Sequence, residues 1–127
     1  MSQLASDVFI FDADAHVLEP PDLWENYLED KFRDRAIKFR VNEKGVEQLF
    51  ADGEVILPNC TAALGGVNID RTEAFNPRSS LSYLDGAPPG SMDGAERVLQ
   101  FNEWGLSAGL VLPTIGILWD SADNALA

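Results

Sequence analysis

One cysteine and one histidine are all that this sequence offers of the two side chains most used to hold transition metals or to pair as nucleophile and base. Cys60, standing alone, excludes an intrachain disulfide and any zinc site built on several thiolates, and it fits a reducing, cytoplasmic setting. A catalytic cysteine wants a base beside it, and His16 lies far away in sequence, so the thiol reads as incidental. Basic side chains are scarce as well. Nine Lys and Arg face 21 Asp and Glu, and the formal charge of -12 repels a phosphate backbone or an anionic leaflet, which disfavours nucleic acid and membrane as partners. The acids are scattered, so they read as a solvated surface and name no ligand by themselves. Long apolar runs are missing too: the stretch ending at Phe11 has no basic flank and is too short for a signal or transmembrane segment.

What is present is an ordinary globular composition, 46% hydrophobic and 24% charged over 127 residues, enough for one core and hardly for two. The first element is a strand over about 7–16. In "DVFIFDA", Val8, Ile10 and Asp12 face one way and Phe9, Phe11 and Ala13 the other, so the strand should be covered on both sides, as in a parallel α/β sheet or a barrel. "EPPDLWENYL" then opens a short helix, with Pro21 suited to its first turn and Asp22 and Glu25 complementing its dipole. Short strands separated by "NEKG" and "DG" predict an antiparallel meander over about 37–57. The Gly-, Pro-, Asn- and Ser-rich stretch over about 58–90 reads as a long loop running over a surface. A helix follows over about 92–104, with Ala95, Val98, Leu99 and Asn102 at helical spacing and Gly105 ending it at positive φ. A buried strand over about 107–113 completes a parallel crossover, and "WDSADNALA" begins another helix capped by Asp120 or Ser121.

Chemistry concentrates at the end of the first strand. If its alternation continues through Ala15, then Asp12, Asp14 and His16 project from one face at the C-terminal edge of a parallel sheet, where ligand sites form. A neutral imidazole and a carboxylate two residues apart can share one divalent ion, which makes Asp14 and His16 a candidate half-site. The alternative is a strand-end histidine that merely hydrogen-bonds. Asp12 is read either as orienting His16 or as a strand-end acid bonded to a neighbouring loop, the second being preferred. Glu19 either lines the pocket or caps the helix near Pro21, and the cap is preferred. Thr114 is a pocket residue or a turn hydroxyl; Trp24 and Trp119 are an aromatic wall or part of the core.

"FDADAHVLEPPDLWENYLEDKFRDRA" resembles the N-terminus of the amidohydrolase-related superfamily, in the branch of aminocarboxymuconate-semialdehyde decarboxylase and related metal-dependent hydrolases and decarboxylases. "GSMDGAERVLQFNEWGLSAGLVLPTIGILW" is similar to that family's first barrel helix, second strand and following loop. The resemblance implies an α/β fold, the N-terminal portion of a (β/α)8 barrel of TIM type, with the meander and long loop as an insertion. It also implies a divalent metal held partly by an H-x-H motif or an acidic variant, with Asp14 standing where the first histidine would be and His16 as the second. Zinc is the first choice, and the carboxylate makes manganese or magnesium rivals. The substrate class implied is a small carboxylic or aromatic molecule, cleaved by hydrolysis or by loss of carbon dioxide.

A complete barrel of this type takes about 250 residues, and the family's further ligands, two histidines and an aspartate on later strands, have no counterpart here. The expectation is therefore an N-terminal piece of a longer enzyme, inactive alone, with its catalytic residues beyond residue 127. Its open strand edge and uncovered apolar faces predict poor stability or association, including homo-oligomers. The rival expectation is a small non-catalytic binding or regulatory domain that joins homologous subunits.

Overall fold

Local chemistry places the elements, and two small sheets then divide the chain between them. The computed structural model describes residues 8–64, 69–74 and 76–118. In chain order these form β1 (Phe11–His16), α1 (Leu23–Tyr27), the meander β2 (Lys38–Val41), β3 (Glu47–Ala51) and β4 (Glu54–Leu57), the helical turn α2 (Arg71–Ala74), helix α3 (Gly94–Trp104) and β5 (Ala108–Leu112). Tight 3-10 turns lie at Asp30–Arg35, Cys60–Ala63 and Gly116–Leu118. The fold is mixed α/β: β1 and β5 pair in parallel, β2-β3-β4 form an antiparallel sheet, and the described strands do not close a barrel. Among the described residues no helix is long and apolar enough to cross a membrane. The expected tail helix and its cap at Asp120 or Ser121 lie outside the described residues.

The meander follows from its turns. Asn42 Oδ1 accepts from the N–H groups of Lys44 and Val46 at 2.9 and 3.1 Å, which curls the chain back between β2 and β3. Between β3 and β4, Asp52 and Gly53 both take positive φ, 52° and 84°, the conformation that an Asp-Gly hairpin turn needs. Arg35 grips the Asp52 carboxylate through Nε and Nη2 at 2.6 and 2.7 Å and so ties the hairpin tip to the preceding 3-10 turn.

The core sits on this sheet. Leu18, Ile37, Leu49, Ala51, Cys60, Ala63, Leu64, Tyr83 and Ile115 form one buried cluster, with Trp24, Phe39, Ile56 and Met92 packed against it. The 58–90 stretch, expected to be a surface loop, therefore supplies much of the interior. Its short turns bury Cys60, Leu64 and Tyr83, and the Tyr83 ring lies 4.6 Å from that of Phe39. A segment without period can still fill a core, because burial asks for apolar volume and not for regular spacing.

The parallel pair is thinly covered, contrary to the expectation for a strand buried on both sides. The strand expected over about 7–16 begins at Phe11; Phe9, just before it, is 71% exposed and Phe11 53%, and Leu110 and Val111 on β5 also face outward. Helix α3 is placed by its ends: Asp93 Oδ1 accepts from the Glu96 N–H at 2.8 Å, and Gly105 closes it at φ 74°. Its inner side is Arg97 and Phe101, and the Phe101 ring lies so close to Gly109 that a Cβ there would meet it at 2.9 Å. Val98 and Leu99, two of the residues at helical spacing, are exposed.

Candidate functional site

β1 and β5 end side by side, and the residues around their C-terminal ends line a pocket of about 480 Å3. In the ladder, Asp12 pairs with Gly109 and Ala15 with Val111, so β1 carries one extra residue between them. This bulge breaks the strict alternation expected of Asp12, Asp14 and His16. Asp12 Oδ1 accepts the Asp14 N–H at 3.0 Å within the bulge, and all three side chains still border the pocket.

His16 is the best-held of them. Its Nδ1 lies 3.0 Å from the Pro113 carbonyl oxygen and 3.1 Å from Thr114 Oγ1. A carbonyl only accepts, so in the neutral ring Nδ1 carries the hydrogen and Nε2 keeps the lone pair. Nε2 stands 3.6 Å from Asp14 Oδ1. Metal–ligand bonds from His and Asp run at about 2.0–2.2 Å, so one ion can reach both atoms. A ring nitrogen fixed by a backbone carbonyl is also the usual support for a histidine ligand. The donor set thus fits two positions of a divalent-ion site, and among the described residues no cluster of three His, Cys, Asp or Glu completes it.

Glu19 proves to be neither a pocket wall nor the cap of α1. Asp22 precedes that helix, making no side-chain cap bond and holding Asn26 Nδ2 at 2.8 Å instead. The Glu19 carboxylate is buried and accepts from three consecutive N–H groups, Thr114 at 3.1 Å, Ile115 at 2.9 Å and Gly116 at 2.9 Å. Its backbone carbonyl accepts from the Tyr83 hydroxyl at 3.1 Å. Thr114 lines the pocket and touches His16, Trp24 belongs to the edge of the core, and Trp119 lies outside the described residues.

Sequence reasoning missed Arg97, Phe101 and Trp104, which put one side of α3 against the pocket. Their spacing of four and three residues is helical, and the signal was there to read. Arg97 Nε donates to the Gly90 carbonyl at 2.7 Å and Nη2 to that of His16 at 2.6 Å, which bolts the helix to the end of β1. Pro88, Pro89, Leu18 and Leu64 add apolar lining. Away from the pocket, burial and then the nearby Glu47 carboxylate push the Cys60 thiol up to about 12, and burial followed by the charge of Glu19 raises the Tyr83 phenol. Neither group is poised to react. No family model and no curated protein matches the chain.

Proposed function

We propose that this chain contributes the opening strand, helix and second strand of a metal-dependent (β/α)8 enzyme of the amidohydrolase-related kind, a hydrolase or carboxy-lyase. Its substrate is a small carboxylic or aromatic molecule. The observation that carries this reading is His16: Nδ1 is fixed by the Pro113 carbonyl, and Nε2 faces Asp14 Oδ1 at 3.6 Å on the rim of an apolar pocket. When bound there, a divalent ion supplies positive charge that polarises a substrate oxygen or makes a water more acidic. Asp14 and His16 would hold it, the Pro113 carbonyl orients the imidazole, and Phe101, Trp104 and the two prolines receive the apolar body of the substrate. Zinc suits the imidazole, and the exposed carboxylate of Asp14 leaves room for manganese or magnesium. A working centre needs at least one more protein ligand than the described residues bring together.

The uncovered apolar strands favour one rival, a non-catalytic domain that docks on homologous subunits. Metal content separates the two. In the full-length protein purified from cells with its metal bound, the D14A/H16A variant should lose zinc or manganese, measured by plasma mass spectrometry on samples checked for folding. Unchanged metal content in the folded double variant would sink the enzyme reading.

A further inference from the structure

We infer that Glu19 is a positioning residue for His16, acting through the peptide group that joins Pro113 to Thr114. The two hydrogen-bonding atoms of that group are engaged on opposite sides. Its N–H, on Thr114, donates to Glu19 Oε1 at 3.1 Å, and its C=O, on Pro113, accepts from His16 Nδ1 at 3.0 Å. A trans peptide is planar, with its N–H and C=O pointing in opposite directions, so holding one end aims the other. The carboxylate fixes the Thr114 N–H, and with it the direction of the carbonyl that selects the tautomer of His16.

Two further bonds make the grip firm. Ile115 and Gly116 also donate to Glu19, so three consecutive residues are locked by one buried side chain, itself only 7% exposed. A carboxylate held by convergent N–H groups makes charge-assisted bonds about twice as strong as neutral ones. Bonds in series polarise one another, so the charge on Glu19 makes the Pro113 oxygen a better acceptor and leaves Nε2 a better electron-pair donor. Many histidine ligands gain this support from a carboxylate in direct contact. Here the carboxylate is one peptide group further away. At Gly116 a Cβ would come within 3.3 Å of Glu19 Oε1, so glycine leaves the carboxylate its place.

The role of Glu19 in setting the tautomer stands by itself, and only its consequence for metal binding rests on the proposed function. Because His16 is the sole histidine of the chain, 15N-histidine labelling gives one imidazole, whose long-range 1H–15N spectrum distinguishes Nδ1–H from Nε2–H directly. The wild-type ring, recorded in its neutral form, should be Nδ1–H. In E19Q the amide keeps the shape and loses the charge; its ring should shift toward Nε2–H, and zinc added alone should bind about ten- to a hundredfold more weakly. T114V, which removes only the hydroxyl, should keep the wild-type tautomer.

A wild-type ring in the Nε2–H form overturns the inference. So does a folded E19Q whose tautomer and zinc affinity match wild type, or a T114V that switches tautomer while E19Q does not. Should E19Q fail to fold, E19D takes its place: it keeps the charge but is one methylene short of the loop, and an unchanged tautomer there overturns the inference equally. Failure of wild type to take zinc at His16 removes the metal reading and leaves the tautomer to decide the role of Glu19.

Discussion

Cys60 and Tyr83 are both buried in the core, and each holds its proton more tightly there than in the unfolded chain. An unfolded cysteine ionises near about 8.5, whereas the folded Cys60 does so at about 12. Between those values the folded state binds more protons than the unfolded one, so stability falls as pH rises. It is fully present below about pH 8.5 and is lost progressively toward about 12, with Tyr83 adding to the loss above about pH 10. Thermal midpoints measured from neutral to strongly alkaline pH should decline across this window, and C60A should decline less over its lower half. Thiol reagents should leave the folded chain unlabelled at neutral pH; rapid labelling would contradict the burial. At this scale the sequence marked Asp14 and His16 as candidate ligands and Thr114 as a pocket residue or turn hydroxyl, because residue type and strand-end location are local properties. The role of Glu19 was hidden, since its partners lie about 95 residues away.

Helix α3 separates what an element's own residues dictate from what its neighbours do. Its start and stop were written locally, in Asp93 accepting from Glu96 and in Gly105 with φ 74°, and D93A should cost about 1 kcal/mol. Its buried side was chosen elsewhere. Gly109 on β5 leaves space that the Phe101 ring fills, and Arg97 reaches the carbonyls of Gly90 and His16, so the helix turns these two residues inward. F101A should therefore destabilise the chain by about 2 kcal/mol, less than a fully buried ring. V98K and L99K should each stay within about 0.5 kcal/mol of wild type in urea unfolding of the isolated chain. The opposite ranking would put the helix's buried side at Val98 and Leu99. The bulge in β1 makes the same point. A strand was legible around "DVFIFDA", but it begins only at Phe11, and the extra residue between Asp12 and Ala15 is a property of pairing with β5.

Over the whole molecule, packing and charge pull in different directions. The core belongs to the meander and the 58–90 stretch, while Val8, Phe9 and Phe11 beside and on β1, Leu110 on β5, and Val98 and Leu99 on α3 stay in water. Apolar surface of this extent promotes association, and a charge of -12 opposes it through repulsion between like chains. Salt weakens the second effect and not the first: the screening length falls from about 10 Å at 0.1 M to about 3 Å at 1 M. The isolated chain should sediment as a smaller species at low salt and as larger ones near 1 M, with a matching fall in the binding of a hydrophobic dye. A chain that stays monomeric and binds no dye at every salt concentration would mean that these faces are not available.

Determined by the sequence alone were the α/β class, the antiparallel meander, the stop of α3 at Gly105 and the clustering of Asp12, Asp14 and His16 at a strand end. All of these depend on contacts within a few residues: turn chemistry, caps and the period of side chains along one element. Only the tertiary structure decided that an aperiodic stretch fills the core, that Arg97 and Phe101 face inward, and that Glu19 leaves the neighbouring helix uncapped to hold the loop after β5. Those outcomes depend on groups far apart in the chain, and which of them meet is set by packing volume and by the need of buried N–H and C=O groups for partners.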